Sequence, residues 1–207
     1  MVGNFTVSLL EILAYLVPGG ITLAAILYLR FPELADRVFG GVGSQIAFIA
    51  CSYVIGHLLT FLSSPFVKLR LYIKRLLRGK PREDRISFYT DFQQKLHILF
   101  SSNITRYDEY QFALRLVIEN QPQTGLTVDR LYAMTLFSRN ISLSFLLTSC
   151  LYLTQSVIAA AAFAAVGILF FLRYAQLEAI TANTVFRAAY IHLCSKREPE
   201  KALMKNA

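Results

Sequence analysis

The chain has 207 residues, of which 55% are hydrophobic, 16% are charged and none is tryptophan, with a mean hydropathy of +0.47. Soluble domains carry about 25% charged residues, so this composition excludes a disordered, collagenous or disulfide-scaffold protein and points to a membrane. Lys plus Arg number 21 against 13 Asp plus Glu, a formal +8, and the excess lies outside the longest apolar runs.

The N-terminus has no Lys or Arg before an apolar stretch that lasts to Leu29. A cleaved signal peptide has a basic start and a shorter apolar core, so residues 5–29 read as a retained membrane helix. About 20 apolar residues cross roughly 30 Å of hydrocarbon, and this stretch meets the requirement with one charge, Glu11. Residues 45–67 form a second span without formal charge, containing Gly56 and His57. Between the two, Arg30, Glu33, Asp36 and Arg37 balance one another ahead of the glycines at 40, 41 and 43, which predicts a short, flexible, neutral loop.

Residues 68–139 are polar and rich in Lys and Arg. By the positive-inside rule this segment is cytoplasmic, which puts the N-terminus inside as well. Its first part alternates basic and apolar residues until Gly79 and Pro81 and predicts a basic amphipathic helix leaving the membrane. Apolar residues three and four apart predict further helices over 87–101, 105–120 and 128–139, with residues 120–125 as a breaker loop. Three such helices bury only a small core, which predicts packing against the C-terminal helix or against other subunits.

Residues 141–172 carry no formal charge. As one helix they would reach about 48 Å, too long for an ordinary span. A turn at Thr154-Gln155-Ser156 divides them into a hairpin and returns the basic tail, with Arg173, Arg187, Lys196, Arg197, Lys201 and Lys205, to the cytoplasm. The alternative is one tilted span near 150–172 with the tail outside, which the basic tail disfavours. The expected architecture is therefore an all-α integral membrane protein with four transmembrane helices. A hairpin at 1–67 precedes a cytoplasmic helical insertion at 68–139, a second hairpin at 140–172 and a cytoplasmic tail helix at 173–207.

The chemistry of an enzyme is not legible here. No HExxH, CxxC, nucleophile elbow or phosphate-binding loop occurs, and neither a cofactor nor a metal site is expected. Cys51, Cys150 and Cys194 read as small buried hydrophobes. Three features suit a membrane mechanism instead. Val17-Pro18-Gly19-Gly20 interrupts span one, either as a hinge or pore constriction or as a static kink satisfied by neighbouring helices. In span two, Ser52, Gly56 and Thr60 stand four apart and permit close helix approach. His57 reads either as a pore-lining group or as one bonded to a neighbouring helix. The basic cluster Lys68, Arg70, Lys74, Arg75, Arg78, Lys80, Arg82 and Arg85 suits an anionic nucleotide or oligonucleotide, or else the head groups of anionic lipid. In the last apolar run, the small residues from Ala159 to Gly167 predict tight helix packing.

These elements taken together, with Gly56-His57 and its basic exit, Arg106-Tyr107 and Tyr110 in the insertion, Arg139 before the hairpin and Arg173-Tyr174 after it, resemble small bacterial inner-membrane proteins. Some of those are similar to the membrane effectors of antiphage defence systems. The resemblance implies a homo-oligomeric gated pore or membrane-disrupting effector, gated at Pro18, Gly19, Gly20 and His57 and controlled by a nucleotide or oligonucleotide signal. The alternative expectation is a non-conducting anchor that recruits a cytosolic protein partner.

Overall fold

The computed structural model describes residues 2–39, 41–63, 65 and 106–195, and every regular element among them is an α-helix. In chain order these are α1 (Val2–Arg30), α2 (Pro32–Phe39), α3 (Val42–Leu62), α4 (Arg106–Asn120), α5 (Pro122–Tyr152) and α6 (Val157–Ser195). Three of them are long and apolar enough to cross a membrane, over Leu9–Arg30, Val42–Leu62 and Val157–Cys194. The expected basic helix at 68–78, the basic cluster that continues to Arg85, and the expected helix at 87–101 lie outside the described residues.

Several boundaries differ from expectation. The short loop between the first two spans contains α2, with Pro32 opening it, where a missing N–H costs nothing. The second apolar helix starts at Val42, three residues before Gln45, because Ser44 supplies the turn that the glycines were read as loosening. Its hydroxyl lies 2.8 Å from the Gly41 carbonyl and 2.9 Å from that of Val38. The same helix ends at Leu62, with Ser63 as its cap, and residues 64, 66 and 67 of the expected span lie outside the described residues. The breaker at 120–125 shrinks to Gln121. Pro122 starts α5, and Gly125 donates its N–H to the Gln121 carbonyl as an ordinary helical residue. The helix expected at 128–139 is consequently the middle of α5, which runs without interruption into the apolar stretch.

The break expected in 141–172 falls where polarity peaks, with α5 ending at Tyr152 and α6 beginning at Val157. From there α6 continues through Arg173 to Ser195 as one helix, about 58 Å long at 1.5 Å per residue.

The chain divides into two units, Met1–Leu77 with Tyr132–Glu178, and Arg78–Leu131 with Ala179–Ala207. In the first unit the residues of lowest exposure include Ser52, Asn140, Ser142 and Ser144, whereas Ile46, Val54, Leu58, Phe61, Ile158 and Leu169 are exposed. Cys51 and Cys150 are exposed too. They were expected inside, but on an apolar helix with a polar seam the soft, weakly polar thiol goes outward with the aliphatic residues.

The second unit has a core of apolar side chains. Ala113 and Val117 of α4, Val128 of α5, and Val185, Phe186, Ala188 and Ala189 of α6 form its core. Tyr110 packs edge-on against Phe186, ring centroids 5.9 Å apart. Of the two partners expected for the helices at 105–120 and 128–139, the C-terminal helix or other subunits, this cluster shows the C-terminal helix.

Candidate functional site at the proline break

Proline at position 18 lacks the N–H that would reach the carbonyl of Ala14, one turn earlier. A buried carbonyl without a donor costs about 1–3 kcal/mol, and Ala14 is fully buried. Asn140 of α5 supplies the donor, with its Nδ2 at 3.1 Å from the Ala14 oxygen. The second Nδ2 hydrogen goes to the Thr60 hydroxyl at 2.7 Å, and that hydroxyl in turn donates to the Gly56 carbonyl at 3.2 Å. One buried amide thus ties α1, α3 and α5 together, while its Oδ1 makes no hydrogen bond.

One turn along α5, Ser144 reaches the carbonyl of Pro18 itself at 2.9 Å, and Thr22 reaches the same oxygen at 3.1 Å. The two hydroxyls lie 2.8 Å apart. Two hydroxyl hydrogens therefore serve three close approaches, so at any moment one of the three contacts carries no hydrogen.

Gly19 and Gly56 explain why α1 and α3 meet here. A Cβ on Gly19 would overlap the Ser52 carbonyl oxygen and lie 2.7 Å from the Gly56 nitrogen. A Cβ on Gly56 would overlap the Tyr15 carbonyl oxygen and lie 2.7 Å from the Tyr15 Cα. The two backbones are in direct contact at a reciprocal pair of glycines, the close approach that small residues four apart allow. Ser52 stays small and quiet there by donating its hydroxyl to its own helix at Phe48, 2.7 Å away. Gly20 is less constrained, its nearest outside neighbour being the Ser52 hydroxyl.

On the other side of α5, Ser142 donates to the Gly167 carbonyl and Ser149 to the Ala160 carbonyl, each at 2.8 Å. A Cβ on Gly167 would come within 2.9 Å of the Leu146 side chain, so the small-residue run of α6 serves tight packing. The α5 residues 140 and 144 thus face α1, and 142 and 149 face α6.

The residues read as a gate separate into two groups. Pro18 and Gly19 are buried at the helix crossing, and the carbonyls around the proline are bonded by α5, which is the geometry of a satisfied kink. His57 is exposed, although a membrane histidine was expected to face inward. Its ring stacks on Tyr15 with centroids 3.9 Å apart and 11° between planes, and meets Tyr53 edge-on at 4.7 Å. Two aromatic faces hold the imidazole at the bundle surface where a hydrogen-bonding neighbour was anticipated.

Asn140 and Ser144 were not singled out from the sequence. The signal that finds them is a polar residue every fourth position, 140, 144 and 148, in a run that also holds Ser142 and Ser149, in a chain with a proline in another apolar run. Among the described residues no three His, Cys, Asp or Glu side chains come together as a metal-binding group. Compared with known proteins, the chain matches no protein-family model, no curated protein sequence and no solved structure.

Proposed function

We propose that the chain is a four-span protein of a bacterial inner membrane, with both termini cytoplasmic, that acts as a non-conducting anchor. In this reading α1, α3, the apolar half of α5 and the first half of α6 cross the bilayer, and the second unit is held on the cytoplasmic side to recruit a protein partner. The topology rests on the basic bias of 68–139 and of the tail.

The observation that carries the anchor over the pore is the closure of the proline break. Helix backbones touch at Gly19 and Gly56, and the carbonyls of Ala14 and Pro18 are bonded to α5. A hinge at Pro18 would have to give up those bonds in an apolar surrounding, at a cost of about 1–3 kcal/mol for each buried group left unpaired.

A second reading is a homo-oligomeric pore formed between copies, controlled by a nucleotide or oligonucleotide at the basic cluster. It is favoured by His57, an ionisable side chain exposed on the surface of an apolar bundle, where such groups face a water-filled path or another chain. Ion flux from liposomes carrying the purified protein decides between them, with and without short oligonucleotides. The anchor predicts no flux above empty liposomes in the wild type, in Pro18→Ala and in His57→Ala. Flux that falls in His57→Ala, or that appears only with oligonucleotide, overturns the anchor in favour of the pore.

A further inference from the structure

The cluster around Tyr15 contains more hydrogen-bond donors than the structure uses. Tyr15 stacks on His57 and meets Tyr53 edge-on, ring centroids 5.9 Å apart; Asn140, next to Arg139, bonds the carbonyl of Ala14, next to Tyr15, and the charges of Glu11, Tyr132 and Arg139 act on the Tyr15 hydroxyl. All of these residues belong to the first unit. Tyr53, His57 and Tyr132 are exposed, so the cluster opens to the surface. The Nε of Arg139 is buried and makes no hydrogen bond. A guanidinium is always charged and presents five N–H donors in a planar fork, and a buried donor on it without an acceptor is costly.

The position of the cluster along the chain names the acceptor. Arg139 is the last charge before the uncharged 141–172 stretch, and Glu11 is the only charge in the first apolar run, near its start. Both mark the end of a hydrocarbon-length segment, the level at which tyrosines and basic residues meet lipid head groups. Arginine is the side chain that matches a phosphate with two parallel hydrogen bonds.

We propose that Arg139, Tyr15, Tyr53 and His57 seat the phosphate of a membrane phospholipid. The guanidinium makes the charged contact, the tyrosine hydroxyls and the imidazole complete the donor set, and the aromatic faces line the approach of the glycerol. Glu11 is the internal acceptor that competes for the same donors. The assignment rests on the membrane reading given above, and its test separates the two.

The test uses the full chain. Carbonate extraction of membranes from expressing cells comes first; release of the protein into the supernatant would remove the membrane reading and this assignment together. With the protein retained in the pellet, material purified in a neutral maltoside detergent is titrated with phosphatidylglycerol, with diacylglycerol as the phosphate-free lipid, and with inorganic phosphate, and retained lipid is read by native mass spectrometry. Phosphatidylglycerol is expected to be retained over diacylglycerol and not displaced by millimolar phosphate. Arg139→Gln should weaken retention about tenfold, the size of one lost charge-assisted hydrogen bond. Arg139→Lys should lose less, and Glu11→Gln should tighten retention. Arg115→Gln, on the exposed face of α4, should change nothing. Equal retention of both lipids, displacement by inorganic phosphate, or an Arg139→Lys variant indistinguishable from wild type while Arg115→Gln loses lipid would each overturn the assignment.

Discussion

The helix contacts of the two units differ in composition. In the first, serine, threonine, asparagine and glycine share the helix contacts with leucines such as Leu59 and Leu143, while Ile46, Val54, Leu58, Ile158 and Leu169 are exposed. In the second, Val117, Val128, Val185 and Phe186 are buried while Arg115, Glu119, Asp129, Arg130 and Arg187 are exposed. On the membrane reading proposed above, the difference corresponds to two solvents. In water, burying apolar area drives helices together. In lipid that force is missing between helices, and close backbone approach with interhelical hydrogen bonds replaces it. Two continuous helices, α5 and α6, carry both grammars in succession.

That contrast can be broken by substitution, with denaturant unfolding in detergent micelles as the common measurement. The largest effect is expected from Phe186→Ala, about 3 kcal/mol for emptying most of a buried aromatic site. Its hydrogen-exchange consequence should be confined to 106–131 and 179–195; equal loss of protection at the glycine crossing would mean that the units do not have separate cores. Gly56→Leu is expected to cost nearly as much, close to 3 kcal/mol, because the new side chain meets the Tyr15 backbone and no flexible side chain can yield. A near-neutral result there would show that the α1 and α3 backbones are not in contact.

Asn140→Leu should cost about 2 kcal/mol, and it sharpens the comparison further through a double-mutant cycle. Restoring the missing N–H with Pro18→Ala should recover about 1 kcal/mol of that loss, since the Ala14 carbonyl would regain a donor from its own helix. Strict additivity of the two changes would sink the claim that Asn140 answers the proline. The smallest effect is expected from Ser142→Ala, about 0.6 kcal/mol, the average worth of an interhelical hydrogen bond in a membrane protein.

How much of this the sequence discloses depends on the range of the interaction. The apolar helices, the break near Gln155 and the small-residue contacts of Gly56 and Gly167 follow from local periodicity and hydropathy. The helix at 32–39 does not, because the glycines after it signal flexibility while Ser44 closes the turn from within the next helix. The site is legible only in part. Pro18 announces an unsatisfied carbonyl at Ala14, but nothing local says which residue answers it. Asn140 is a single polar residue among many until the fold brings it across. The setting of His57 is hidden for a related reason, since a ring stacked on one tyrosine and edge-on to another at the surface carries the same sequence context as one turned inward.

The reach of the Asn140 bond, 126 residues along the chain from the carbonyl it satisfies, also bears on how the protein is made. Synthesis delivers α1 and α3 well before α5 exists. Through that interval the first hairpin holds a backbone oxygen, that of Ala14, with no donor from its own helix. It must therefore wait beside something polar, such as the insertion machinery or a lipid-level water, until Asn140 emerges. The latch therefore closes only once α5 is made, and a ribosome stalled before residue 140 should leave a hairpin that is inserted but still retained at the site of insertion.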